Sequence, residues 1–315
     1  MSSSKHVIVS GSFDDIRSFD LRFLEEAAKL GDLTVLLAAD DTIQRSTGQP
    51  PKFPLAERLY FLNAVRHVGR VIPWDGSSLL NVAQTSKSAV SRVSKPADAT
   101  IAERDAGLEA GDTAGLETCA TDHLPAVPGP RPEIWADLES PANSAREKFA
   151  SANSIDYRVF KKEQLQGFPE PPPMPSAPGR KKIVATGCYD WFHSGHVRFT
   201  EEASAYGDLY VCLGSDVNVR LLKGQGHPLL TQEERRYVVG SIKFVKQALV
   251  TTGSGWLDAD PEIRRLRPDI YVVNEDGDKG GKREYCQELG IEYLVLKRTP
   301  APGLPQRSST VLRGF

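Results

Sequence analysis

The sequence predicts an α/β protein built from two tandem parallel-sheet domains, the first a degenerate copy of the second. Three observations predict this. The chain has 315 residues, long for one domain of about 100–200 residues. It contains an internal repeat, and each copy alternates short apolar runs with helical periodicity. The repeat is visible by eye. Val7–Asp14 matches Ile183–Asp190, and Arg22–Ala27 lies on Arg198–Ala203 without a gap. Gly31-Asp32-Leu33 then lies on Gly207-Asp208-Leu209, and Asp40 on Asp216. After a one-residue slip, Glu57-Arg58 lies on Glu234-Arg235 and Val65–Val68 on Ile242–Val245. Further on, Ile134-Trp135 matches Ile270-Tyr271, and Ile155–Val159 matches Ile291–Val295.

Within each copy the expected order is β-α-β-α-β-α-β. Ile183–Thr186 and Tyr210–Leu213 read as apolar strands flanking a helix over about Gly195–Tyr206. Glu233–Lys246 has helical spacing, Ile270–Val273 is a third strand, and Ile291–Leu296 a fourth after a Lys282–Leu289 helix. Such alternation implies a Rossmann-like parallel sheet covered on both faces. Ligands on these sheets bind beyond the carboxyl ends of the strands, where strand order reverses. The loop after Ile183–Thr186 is therefore the expected site.

The division that follows is a first domain over 1–165, a linker over 166–181 and a second domain over 182–315. The linker contains Phe168–Pro175, whose prolines suit neither a helix nor a central strand. A spacer is the expected role, a ligand for a proline-recognising module the other. The first copy carries about 40 residues that the second lacks. This stretch, about 76–131, is rich in Ser, Ala, Thr, Asp and Pro and reads as a mobile surface insertion. A small helical lid over 78–93 is the alternative.

Composition narrows the partners. A net charge of −2 with 25% charged residues argues against a general grip on nucleic acid or an anionic membrane. No apolar run reaches the ~20 residues of a membrane span. The start passes directly into Val7-Ile8-Val9 and leaves no room for a signal peptide, so a cytoplasmic protein is expected. Cys119, Cys188, Cys212 and Cys286 show no CxxC spacing and read as reduced thiols.

The expected site loop runs from Gly187 through Cys188, Tyr189, Asp190, Trp191 and Phe192 to His193-Ser194-Gly195-His196. Two histidines three apart at a helix start suit phosphate chemistry. Glycine admits a polyphosphate close to the backbone, and the helix start offers unpaired N–H groups. Imidazole N–H donors can follow negative charge as it builds. A metal site or simple capping are the alternatives, and the pair has no third His or Cys ligand nearby.

Gly187–His196, between a strand and a helix, resembles the HxGH signature of the cytidylyltransferase-like nucleotidyltransferase superfamily. Arg298-Thr299 and Arg307-Ser308-Ser309-Thr310 resemble its second marker, the RTxGISTT segment. The tandem arrangement resembles that of ethanolamine-phosphate cytidylyltransferases. The resemblance implies that His193 and His196 bind the triphosphate and stabilise the transition state, with Lys223 bridging donor and acceptor. It places Gly187, Cys188, Tyr189, Asp190, Gly195, Glu275, Asp276, Arg298, Ser308, Ser309 and Thr310 around the nucleotide. It places Asp190, Asp216, Arg235 and Trp256 near the acceptor, although Arg235 and Trp256 equally suit packing or surface, and Lys223 a solvated loop. Cys188 as a thiol reads as a buried strand end. Asn274–Gly277 stands where the family has a Gly-Asp-Asp-Trp-like run, and the Arg298–Ser308 loop is long.

The implied reaction takes CMP from CTP, with Mg²⁺ on the triphosphate, to a small phosphorylated alcohol or polyol, releasing pyrophosphate. ATP is the alternative donor, because Gly214–Gly224 also resembles a heptose-phosphate adenylyltransferase segment. A nucleotide-sensing regulatory protein without turnover is a reading of another class. In the first copy His193 becomes Arg17, Gly195 becomes Phe19, His196 becomes Asp20 and Lys223 becomes Thr47. An aspartate at a helix start repels a triphosphate. The first domain is thus expected to be a scaffold or sensor, paired with the second as an intramolecular pseudo-dimer.

Overall fold

The computed structural model describes residues 4–75 and 131–312. In the first half, β1 (His6–Gly11), α1 (Ser18–Ala28), β2 (Asp32–Ala38), α2 (Asp40–Thr47), α3 (Leu55–Ala64) and β3 (Arg70–Trp74) follow in order. They are completed by β4 (Ile134–Leu138), α4 (Asn143–Ala152) and β5 (Asp156–Phe160). The second half opens with β6 (Lys182–Gly187), α5 (Ser194–Ser204), β7 (Asp208–Leu213), α6 (Asp216–Lys223), α7 (Gln232–Gly240) and β8 (Val245–Val250). Then come α8 (Asp260–Leu266), β9 (Ile270–Asn274), α9 (Lys282–Leu289), β10 (Glu292–Leu296) and the short α10 (Ser309–Leu312). Each half is one five-stranded sheet. The orders β3-β2-β1-β4-β5 and β8-β7-β6-β9-β10 are the same topology twice, and every pairing is parallel.

Side chains alternate across a strand, and this decides where the core sits. Val7 and Val9 of β1, with Ile183 and Ala185 of β6, join a single apolar cluster that runs through both halves. Ile8 and Val184 point to the other faces, into smaller cores of their own halves. One face of each sheet therefore shares a core with the partner half, through the helices between them.

The contacts across that boundary are reciprocal. Val65 and Ile242 form an antiparallel bridge, flanked by Arg66 N–H to the Ser241 carbonyl at 2.9 Å and Lys243 N–H to the Ala64 carbonyl at 2.8 Å. The Tyr60 hydroxyl donates to Glu201 at 2.6 Å, and Tyr237 to Glu25 at 2.9 Å. The Ser194 hydroxyl donates to Glu57 at 2.6 Å, and Ser18 to Glu234. Each bond has its mate at the equivalent positions of the repeat.

Two sequence expectations are corrected. Each sheet has five strands, not four, because the helical spacing over Glu233–Lys246 joins two elements. The helix α7 stops at Gly240, where a Cβ would lie 2.8 Å from Pro171, and β8 begins at Val245. Ile242 kept the apolar period going because it packs at the boundary, fully buried. The proline segment is also more than a spacer. Pro172 accepts from Arg66 at 2.8 Å, Met174 N–H donates to Lys246 at 3.0 Å, and Glu170 pairs with Arg236 at 3.1 Å. The expected insertion lies outside the described residues except for Arg131.

Candidate active site

β6 is central in its sheet, between β7 and β9, so its carboxyl end opens at the point where strand order reverses. The turn leaving it needs Gly187: Tyr189 takes a positive φ of 54°, and a Cβ on Gly187 would lie 2.8 Å from the Tyr189 ring. His193 then caps α5, its backbone extended and its Nδ1 accepting the Gly195 N–H at 3.1 Å. A Cβ at position 195 would stand 2.9 Å from the His193 ring. That is the physical need for glycine between the two histidines.

This bond assigns the tautomer. With Nδ1 accepting, the His193 proton sits on Nε2, which is buried and has no hydrogen-bond partner among the described residues. The His196 ring lies 4.1 Å from that of His193, stacks on Phe192 at 5.2 Å and meets Tyr189 edge-on at 5.3 Å. Its Nδ1 is likewise without a partner there. Burial pushes His193 down to about 4, reinforced by Arg298, Arg307 and Arg17. Burial pushes His196 well below the usual imidazole range, reinforced by His193, Arg298 and Lys223. Both rings are neutral donors at pH 7 rather than cations.

A pH dependence follows. Between pH 6.5 and about 4 the unfolded chain binds a proton at position 193 that the folded chain does not. Stability from this group is therefore complete above pH 6.5 and lost as pH falls toward 4. The melting temperature of the wild type is expected to fall more steeply from pH 6.5 to 4 than that of His193→Asn, which keeps a capping side chain without the titration.

The two rings border a cleft lined also by Gly187, Cys188, Tyr189, Gly195, Asp276 and Arg298. Arg298 organises its far wall. Its Nη1 donates to Asp276 at 2.6 Å and its Nη2 to the Arg307 carbonyl at 3.1 Å, while its N–H reaches Glu275 at 3.2 Å. Ser309 donates to the Trp191 carbonyl at 3.2 Å, so the Ser308–Thr310 segment is tied to the histidine loop, with Ser308 partly exposed. Cys188 lines the cleft half-exposed just past the strand, which corrects its reading as a buried thiol.

Lys282, which the sequence reading used only as a helix start, also lines the cleft. Its ammonium donates to the Gly277 carbonyl at 2.7 Å, and burial lowers its pKa against the pull of Asp278 and Asp276. The signal for it was present: a lysine directly after Gly280-Gly281 at the start of α9.

Other expected site residues lie elsewhere. Lys223 is exposed at the end of α6, outside the cleft lining, although its charge acts on His196. Trp256 is 56% exposed, with its ring edge over Gly281. Arg235, expected at the acceptor, is wholly buried and spent on the fold. It donates to the carbonyls of Leu230, Cys188 and Gly214 and to Asp216, at 2.7–3.1 Å. Arg58 does the same in the first half, reaching the carbonyls of Phe53, Ser12 and Ala38 and the Asp40 carboxylate. Asp190 accepts the N–H groups of Leu229 and Leu230 as Asp14 accepts those of Lys52 and Phe53. A half without the histidine pair keeps the equivalent of the whole Asp190–Asp216–Arg235 set, and in both halves these side chains hold the loops.

The profile of the cytidylyltransferase-like family matches residues 184–313. The FAD synthase of Ferroglobus placidus is 36% identical over 120 residues, which cover 37% of this chain and 75% of that enzyme. The chain belongs to the cytidylyltransferase-like family. The bifunctional protein HldE of Wolinella succinogenes is 38% identical over 120 residues, 38% of this cytidylyltransferase-like chain and 24% of the relative. The matched part thus spans about a quarter of the length of the HldE relatives. A lipopolysaccharide core biosynthesis protein from Thermoplasma volcanium aligns at 21% identity and a TM-score of 0.33, covering 39% of this chain and 99% of that one. No helix among the described residues is long and apolar enough to cross a membrane.

Proposed function

We propose that the chain is a nucleotidylyltransferase with one active site, in its second half, that moves CMP from CTP to the phosphate of a small alcohol or polyol. The observation that carries this is the pair of neutral imidazoles 4.1 Å apart, bordering a cleft whose other wall holds Arg298 and Lys282. An acceptor phosphate oxygen attacks the α-phosphorus, the bond to the β-phosphate bridging oxygen breaks, and pyrophosphate leaves with that electron pair. The Nε2–H of His193 and the N–H of His196 donate to oxygens that gain charge, a preorganised arrangement that loses little to reorganisation. Arg298, Lys282 and Lys223 offset the triphosphate charge, and Ser308 and Ser309 hold its oxygens; the Thr310 side chain lies outside the described residues. Gly187, Cys188, Tyr189 and Gly195 shape the wall, and Glu275 and Asp276 orient Arg298 toward the nucleotide.

Mg²⁺ carried on the triphosphate would supply further neutralisation of phosphate charge during transfer. Among the described residues no three His, Cys, Asp or Glu side chains cluster so as to hold a metal ion. Trp256 and Lys223, both exposed and outside the cleft lining, stay as the acceptor-side candidates of this reading.

The first half serves as a scaffold, and the reciprocal bonds across the boundary support an intramolecular pseudo-dimer. Where α5 presents His193, α1 is closed off. Asp20 accepts the Arg17 N–H at 2.8 Å, and the Arg17 guanidinium turns to Asp15 and to the Trp191 ring 3.5 Å away. A second reading, AMP from ATP to a sugar phosphate, is favoured by the FAD synthase and HldE relatives. Pyrophosphate release measured with CTP and with ATP, over polyol, sugar, choline and ethanolamine phosphates, tests both. Turnover with CTP alone supports the first, and turnover with ATP alone the second. Nucleotide binding without turnover on the whole panel would contradict both and leave a sensor.

A further inference from the structure

We propose that Glu57, supplied by the first half, is a positioning residue for the active site of the second, acting through Arg307. The inference rests on the transferase reading above. Glu57 sits on α3 and is 3% exposed, yet the hydrogen-bond partners of its carboxylate among the described residues both belong to the other half. Oε1 accepts the Ser194 hydroxyl at 2.6 Å, and the two oxygens take Arg307 Nε at 3.1 Å each and Nη2 at 2.7 Å. A buried carboxylate without these donors would carry a large desolvation penalty, so the contact is firm wherever the halves are joined.

Both partners lead straight to the cleft. Ser194 stands between His193 and Gly195 in the first turn of α5. Arg307 immediately precedes Ser308-Ser309-Thr310, and its carbonyl accepts Arg298 Nη2 at 3.1 Å. Arg298 in turn holds Asp276 at 2.6 Å. A single carboxylate from the first half thus fixes the histidine loop and the serine/threonine segment relative to each other. The charge matters as well, because the Arg307 cation that acts on His193 is the one Glu57 pairs with.

The repeat separates positioning from simple adhesion. Glu234 is the equivalent of Glu57 and takes the equivalent hydroxyl, that of Ser18. No arginine pairs with Glu234 among the described residues. The hydroxyl bond occurs on both sides of the boundary, whereas the arginine bond occurs only on the side that carries the histidine pair. An interface contact alone would need no such asymmetry.

The test uses the full chain and pyrophosphate release, with KM for the NTP and kcat read separately. Glu57→Gln keeps an acceptor for Ser194 but loses the ion pair. It is expected to raise KM for the NTP about ten- to a hundredfold, as loss of alignment does. Arg307→Gln, changed at a side chain 24% exposed, is expected to match it, and the double variant to be no worse than either single one. Glu234→Gln should leave KM at the wild-type value. A folded Glu57→Gln or Arg307→Gln with wild-type KM overturns the proposal, as does an equal KM rise in Glu234→Gln. A wild type that turns over no NTP contradicts the transferase reading instead. NTP affinity by calorimetric titration then reads the same four variants, with the same pattern expected.

Discussion

Replacing His196 by alanine is expected to lower kcat by about 10²–10³-fold, the usual loss when one preorganised donor to a developing charge is removed. The residue suits a clean test. Its ring is held by Phe192 and Tyr189, and its Nδ1 has no hydrogen-bond partner among the described residues, so the change deletes a donor without breaking a bond in the fold. His193→Ala should cost a similar factor in rate and, in addition, about 1 kcal/mol of stability, because it removes the cap of α5. The two losses are expected to be far from additive, since both rings serve one charge. Pyrophosphate release and thermal melting on the same preparations separate the effects. A His196→Ala enzyme with near wild-type kcat would remove the pair from the chemistry.

Arg235→Met is expected to be the most destabilising single change in the second half, by about 3–5 kcal/mol, the range for breaking a buried charge pair. It leaves the carbonyls of Leu230, Cys188 and Gly214 without their donor and Asp216 without its cation. Arg58→Met should cost a similar amount, because its partners occupy the equivalent positions of the repeat. Urea unfolding of both variants checks this. A loss below about 1 kcal/mol at position 235 would return Arg235 to the acceptor side.

The repeat made the architecture legible, because identical spacing of Ser-Gly and Thr-Gly turns, Glu-Glu-Ala faces and Gly-Asp steps can only arise from the same sheet built twice. Strand β8 escaped notice because Ile242 and Val245 sustain a helical period past Gly240, although one packs between the halves and the other in a sheet. The histidine pair and Gly195 were visible from spacing, and the structure places the two rings 4.1 Å apart with no room for a Cβ at position 195. Less was visible for Asp190, Asp216 and Arg235. A carboxylate or guanidinium beside a site reads as a ligand in sequence, whereas the bonds that Asp190 and Arg235 make to backbone appear only in the fold. Glu57 was visible as half of a matched Glu-Arg pair, but its bond to Arg307 spans 250 positions, a separation that no local pattern reports. On the proposed reading, the Glu57 contact gives the first half, through its helix α3, a part in a site it does not itself contain.

The central claim is that one site per chain binds nucleotide, and that it lies around His193 and His196. Calorimetric titration of the full chain with CTP and with ATP tests this most directly. The account predicts a stoichiometry of one nucleotide per chain for the preferred donor, with binding strongly weakened by Arg298→Ala and unaffected by Asp20→Asn at the equivalent place in the first half. Two nucleotides per chain, or undiminished binding in Arg298→Ala, would contradict it.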